Sequence, residues 1–432
     1  MVTIAKVTLW GTLAGAVVWL EEEDCANFEF DPDFLKLGID LAPFTMPLAG
    51  MLRGNRIFSF PALAHETYFG LPGLLADSLP DKFGNRLIDV WLAMQGRTPE
   101  SMNPVERLCY VGNRGMGALE FAPMIISRKE KVHPLEISEL VGLAKEALRQ
   151  KEGLHVELSK NEAFALNEII QVGTSAGGAR AKAIIAWNES TGEVVSGQLR
   201  APEGFSQWLI KFDGVTNDLL GDPKGYGRIE FAYYKMAVEC GIRMSPSRLF
   251  EEGGRAHFMT RRFDRMENNQ KLHLQTLCGL CHFDFNDPNS YSYEQAFQAM
   301  RQMRLPYADA EQLYRRMVFN VIGRNMDDHT KNLAFLMDRQ GTWSLSPAYD
   351  VTYAFNPANK WLARHQMSVN GKREGITQED LLAVGVQMNI KKAGEIVEQV
   401  KEVVSNWTSY AQQAGIPGNQ ASAIGSTHLV YG

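Results

Sequence analysis

GRNMDDHTKN (residues 323–332), followed one short hairpin later by LSPAYDV (residues 345–351), decides how this chain is read. The run before it, Ala310–Ile322, sets Leu313, Met317, Val318, Val321 and Ile322 near helical spacing. That helix should stop at Gly323 and release a loop crowded with acids, amides and a histidine. Leu333–Leu336 and Trp343–Leu345 then read as two short strands about a tight Asp338–Gly341 turn, and the chain delivers Asp350. Phosphoryl transfer needs this inventory. One carboxylate orients the attacking hydroxyl, while an Asn and a second Asp hold magnesium against the phosphates. Asp327 and Asn332 stand at the Asp-x-x-x-x-Asn spacing of a kinase catalytic loop. Asp and Asn also populate turns because they satisfy their own backbones there. Asp350, placed beyond the hairpin, is what converts a polar loop into a candidate metal-holding pair.

Working outward, the half after about residue 283 is mostly helical, with Tyr293–Met303, Gln378–Gly385 and Ile390–Ala414 as further helices. The half before it is mixed. Ala183–Trp187, Glu193–Leu199 and Gln207–Phe212 read as strands, Glu230–Cys240 as a helix, and Arg248–Phe250 and His257–Arg262 as two more strands. Further back, residues 2–20 read as strand, turn at Gly11, strand. Leu74–Gln95 is helical after Pro80, Pro104–Val111 is a helix ended by Gly112, and Leu135–Arg149 is an amphipathic helix. Gly112, Gly115 and Gly117 are read as a helix stop and a turn into a strand. The expectation is an α+β, protein-kinase-like two-lobe fold. Its parts are a β-rich unit with helices over 1–130, an α/β lobe with a phosphate-binding loop over 131–270, and an α-helical catalytic lobe over 271–432.

Two features of the middle part bear on a nucleotide. VGTSAGGARAK (Val172–Lys182) gathers small residues and two adjacent glycines just before a strand, so its backbone amides can approach phosphates. It lacks the GxxxxGK[ST] of a Walker loop and the following helix of a dinucleotide fingerprint, and a surface linker is the alternative. WLIKF (Trp208–Phe212) buries a lysine in an apolar strand, which is costly without a partner or an anion. Lys211 therefore asks for an acid, and Glu230 is the candidate; such a pair presents an ammonium to the α- and β-phosphates.

Composition sets outer bounds. With 45% apolar and 22% charged residues the 432-residue chain is ordinary for a globular protein. Its net charge of −6 argues against a protein whose main task is coating nucleic acid. No run of 18 apolar residues is present and no secretory start is read, so a cytoplasmic address without membrane association is expected. Five sparse cysteines do not make a disulfide framework. Cys278-Gly-Leu-Cys281-His282 matches the c-type haem attachment pattern, but haem attachment belongs to exported chains, and a buried thiol pair is the reading adopted.

Taken in order, VTLWGTLAGAVVWL, LADSLPDKFG, GTSAGGARAK, WLIKF, RRFDR (Arg261–Arg265), NMDDHTKN and LSPAYDV resemble the HipA family almost end to end. This family comprises the serine/threonine-kinase toxins of bacterial toxin–antitoxin pairs. The resemblance implies ATP and Mg2+ as cofactors, with Asp327 as catalytic base and Asn332 and Asp350 as magnesium ligands. It implies that His329 helps to hold the catalytic loop. Lys211 would be the nucleotide-binding lysine with Glu230 as its partner. Thr174, Ser175, Ala176, Gly177, Gly178 and Lys182 would lie in the phosphate-binding loop, and Arg261 and Phe263 in the stretch meeting adenine. Ser175 matches the serine on which such kinases phosphorylate themselves. A phosphate there adds roughly −1.5 to −2 charge, which repulsion from nucleotide phosphates would eject. The resemblance also implies a HipB-like DNA-binding antitoxin, contact with DNA mainly through that partner, and a translation component, an aminoacyl-tRNA synthetase, as protein substrate. Two other readings stand beside it. A small-molecule phosphotransferase would not need the first 130 residues. A catalytically idle corepressor subunit has no chemical need of Lys211, Asp327, Asn332 and Asp350 together.

Overall fold

Trp10 and Gly11 both take positive φ, 51° and 84°, and so close the two-residue turn that a right-twisted hairpin prefers. They join β1 (Ile4–Leu9) to β2 (Thr12–Leu20). In the computed structural model, which describes residues 2–125, 135–149, 180–198, 201–215, 225–266 and 269–430, this hairpin opens a five-stranded sheet. β3 (Cys25–Phe30), β4 (Ile57–Phe58) and β5 (Leu119–Ala122) complete it in the order β4-β3-β2-β1-β5. Val7, Leu9, Ala14, Phe28 and Phe30 bury its inner face. Between β4 and β5 lie α1 (Lys82–Met94), whose cap Asp81 accepts from the Gly84 amide at 2.7 Å, and α2 (Pro104–Val111), which stops at Gly112 as expected. α3 follows over Ile137–Arg149.

A second antiparallel sheet runs β7-β6-β8-β10-β9, formed by β6 (Lys182–Trp187), β7 (Val194–Ser196), β8 (Ser206–Lys211), β9 (Ser247–Glu252) and β10 (Arg255–Arg261). β7 is shorter than its expected Glu193–Leu199, and just past its end the chain at Gly197 runs so close to the Ile185 carbonyl that no Cβ would fit. α4 (Tyr226–Glu239) packs beside the sheet and starts a turn earlier than expected. Gly227 looks like a breaker in sequence. In the fold it lets the helix approach β10, where a Cβ would lie 2.2 Å from the Ala256 carbonyl oxygen. The core of this lobe also takes Phe83, Leu87, Ile88 and Leu92 from α1, packed with Ile185, Trp208, Ile210 and Met259.

The rest is mostly helical. A small sheet, β11 (His273–Thr276), β12 (Ala334–Met337) and β13 (Trp343–Leu345), is followed or flanked by α5 (Leu277–Cys281), α6 (Tyr293–Gln302) and α7 (Tyr307–Ile322). Then come α8 (Gln378–Gln387), α9 (Ala393–Ser405), α10 (Trp407–Gln413) and α11 (Gly418–Gly425). The single helix expected over Ile390–Ala414 is broken at Asn406, which lets Trp407 turn inward and donate to the Ala421 carbonyl at 2.8 Å. Leu313, Met317, Val321, Val384, Val397 and Val400 form this lobe's core. Among the described residues no helix is long and apolar enough to cross a membrane.

Candidate active site

α7 delivers the acidic loop. Its last turn closes on Gly323, Arg324 reverses the chain at φ 61°, and residues 324–326 then run beside residue 354, bonded through the Met326 amide to the Ala354 carbonyl (3.2 Å) and the Ala354 amide to the Arg324 carbonyl (3.1 Å). The paired acids part company here. Asp327 is half exposed, its nearest ionic neighbour being His329 Nε2 at 3.8 Å. Asp328 is buried. It accepts from Tyr293 Oη (2.8 Å), the Gln366 amide (2.8 Å) and His365 Nδ1 (2.9 Å), and so anchors the loop from beneath. Asn332 donates from Nδ2 to the Asp327 carbonyl at 2.7 Å, closing the loop on itself. Tyr349 donates to the Lys331 carbonyl at 2.6 Å, tying the loop to the segment that carries Asp350.

Asp350 sits in the left-handed region at φ 53°, which aims its carboxylate back at the sheet lobe. Lys211, at the end of β8, bonds that carboxylate and also Glu230 Oε1 of α4 at 2.5 Å. One ammonium thus joins both lobes. Burial alone would lower the Lys211 pKa, but Asp350 and Glu230 outweigh it and raise it. Burial likewise pushes the Asp350 carboxyl up, while Lys211 and Lys182 together hold it below the ordinary carboxylate range. Lys182 is the cross-strand partner of Lys211 in the β6–β8 register and pairs with Asp81 at 2.9 Å.

The structure therefore gathers Lys211, Glu230 and Asp350 by direct contact, and His329, Asn332 and Asp350 around one small cavity behind the loop. Phe263, just past the end of β10, faces Tyr349 with ring centres 5.7 Å apart. Arg261 is placed elsewhere: it lines a separate, polar cavity of about 410 Å³ with Gly204, Ser206, Gln207 and Asn269. Thr174, Ser175, Ala176, Gly177 and Gly178 lie outside the described residues. Sequence reasoning missed Asp81, for which a buried lysine in β6 was the available signal, and Asp328, which the Asp-Asp doublet could not tell from its neighbour. The Cys278–His282 pattern is packed away. Burial pushes the Cys278 thiol up to about 11 and the Cys281 thiol to about 12, and His282 Nε2 accepts from the Gly73 amide at 3.0 Å. No group of three or more metal-ligating acids, histidines or cysteines occurs among the described residues. Mg2+ needs one or two protein oxygens when phosphates complete its shell. The Asp350 carboxylate and the Asn332 carboxamide, whose nitrogen is already spent on the loop, fit that requirement.

Family comparison finds the HipA-like C-terminal domain over residues 174–407 and the HipA N-terminal domain over residues 5–122. Y4mE of Sinorhizobium fredii, designated a kinase, is 24% identical over 217 residues, 48% of this chain and 47% of that protein; the match thus spans about half the length of the relative. HipA of Shewanella oneidensis MR-1, solved in complex with HipB and operator DNA, superposes with a TM-score of 0.65 at 16% identity, over 98% of this chain and 94% of that one. This likeness is one of fold: two lobes, one built on an antiparallel sheet and one helical, preceded by a further β-rich unit.

Proposed function

This chain belongs to the HipA family, and on that premise we propose that it is an ATP-dependent serine/threonine protein kinase, the toxin of a HipA-type toxin–antitoxin module. The observation that carries the reading is the bridge from Glu230 through Lys211 to Asp350, which sets an ammonium and a carboxylate on facing walls of one interlobe site. In the proposed reaction the hydroxyl oxygen of a serine or threonine attacks the γ-phosphorus. Its proton passes to the Asp327 carboxylate, which stands half exposed at the mouth of the loop. The bond from the γ-phosphorus to the bridging oxygen breaks, and ADP departs with the electron pair. Lys211 steadies the α- and β-phosphates, and Glu230 keeps the lysine charged and oriented. Asn332 and Asp350 would hold Mg2+, which supplies neutralisation of phosphate charge.

Further proposals follow the family. They are self-phosphorylation at Ser175 in the Thr174–Lys182 loop, a HipB-like antitoxin that supplies most of any DNA contact, and an aminoacyl-tRNA synthetase as substrate. The test is intact mass after incubation with Mg2+ and ATP, for wild type beside Asp327→Gln. Gain of one phosphate by wild type alone, mapping to Ser175, is expected. Full phosphorylation of Asp327→Gln would reject the base assignment. Neither transfer nor ATP binding in wild type would favour the idle corepressor instead, whereas ATP binding without transfer would point to a kinase that needs its substrate or partner.

A further inference from the structure

Asp77 and Asp81 stand four positions apart in the first unit, yet they are bonded to different lobes. The Asp77 carboxylate accepts from the amide and the hydroxyl of Thr276, both at 2.8 Å, where β11 runs into α5 of the helical lobe. Asp81 Oδ2 lies 2.9 Å from Lys182 Nζ in β6 of the sheet lobe, with the lysine side chain 1% and the aspartate 7% exposed. Asp81 Oδ1 meanwhile caps α1, so the carboxylate cannot swing away without uncapping a helix packed into the sheet lobe's core. Four residues at full stretch reach only about 14 Å, and Pro80 stiffens the link. Behind it the backbones of Gly73 and Gly279 meet so closely that a Cβ on Gly73 would lie 2.2 Å from the Gly279 carbonyl oxygen. Both aspartates also feel Lys331 of the acidic loop, and Asp350 feels Lys182. The link therefore crosses beside the candidate active site.

We propose that residues 77–81 are a tether that limits the opening between the two lobes, and that Asp81 is a positioning residue which holds Lys182 beside Lys211, facing the nucleotide phosphates. Two cross-strand ammonium groups repel one another, and each is kept in place by its own acid: Lys211 by Glu230 and Asp350, Lys182 by Asp81. The nucleotide part of this inference rests on the kinase reading; the tether does not.

The experiment uses the full chain as wild type, Asp81→Asn, Asp81→Glu, Thr276→Val and the Asp81→Asn/Thr276→Val double variant. Backbone amide exchange reports the tether, and binding of Mg2+–ATP and of adenosine reports Lys182. Weakening either end should speed exchange about tenfold in both β6 and α5, and the double variant should be no worse than either single one, since one slackened end already relaxes the link. Changes confined to the mutated end, adding up in the double variant, overturn the tether. Asp81→Asn should lose about tenfold in ATP affinity with adenosine unchanged, and Asp81→Glu should recover part of it. Equal loss for adenosine and ATP overturns the positioning role. Should Asp81→Asn fail to fold, Thr276→Val keeps the tether exposed to the same exchange criterion, and Asp81→Glu against wild type keeps the ATP-to-adenosine comparison for the positioning role. Linked exchange in a wild type that binds no ATP would leave the tether standing and remove the kinase reading.

Discussion

Asp327 and Asp328 are chemically identical neighbours with opposite fates, and the contrast yields a pair of predictions. Asp328→Asn removes the charge that Tyr293, His365 and the Gln366 amide converge on, and should cost about 2–4 kcal/mol in chemical denaturation. Asp327→Gln touches a half-exposed group, should leave stability within about 0.5 kcal/mol, and should abolish transfer. If the two variants lose stability equally, the buried anchor is misassigned. What was legible at this scale was the need and one of the two partners. A lysine inside WLIKF demanded an acid, and Glu230 answered it; that Asp350 would share the same ammonium required the left-handed turn at residue 350, which no local pattern announces.

Elements were legible where apolar spacing was regular and hidden where packing overrode it. The hairpin about Gly11, the helix Pro104–Val111 and the helix leading to Gly323 read directly. β11 did not, because HLQT buries His273 and Gln275 with no hydrogen-bond partner for either side chain among the described residues, the reverse of what a strand pattern leads one to expect. The Gly112–Gly117 turn was read as a bare connection. It docks instead on the link between the lobes, where Arg265 donates to the carbonyls of Gly115 (2.8 Å) and Gly117 (3.0 Å), and the Gly117 amide donates to Asp264 (2.7 Å). Burial would raise the Asp264 carboxyl, but Arg262 and Arg265 hold it well below the usual carboxylate range. Asp264→Ala strands two buried guanidinium groups and should cost about 3–5 kcal/mol. Gly117→Ala forces a side chain into φ 74° against the Leu274 amide and should cost more than about 1 kcal/mol. Denaturant midpoints check both, and an unchanged midpoint in either would remove this docking from the account of stability.

Over the whole molecule, burial pushes His257, His282 and His428 down to about 4 and His273 to about 3, while it pushes Asp77 up to about 6. The folded chain keeps these histidines neutral, whereas the unfolded chain protonates them below about 6.5. Their contribution is thus present above that pH and fades as it falls toward 4. Asp77 runs the other way, since its folded form prefers the proton and stabilises the fold as the pH drops below 6. The four histidines, each worth at most about 1.4 kcal/mol per pH unit, carry larger displacements than the upward shifts that burial gives Asp40, Asp81 and Asp89 beside Asp77, so stability should decline from pH 6.5 to 4.5. A flat denaturation midpoint across that window would show the histidines to be solvated. The two-lobe plan itself was legible from the change of periodicity near residue 283; the clasp of the first unit on both lobes was not, because its contacts join residues about 100 to 200 positions apart. The meeting of Gly73 and Gly279 carries this further. Neither position tolerates a methyl group unless the opposing backbone retreats, so the two segments are bound to diverge together. A chimaera that grafts onto this catalytic half a first unit with any larger residue at the position of Gly73 would therefore carry a mismatched seam there.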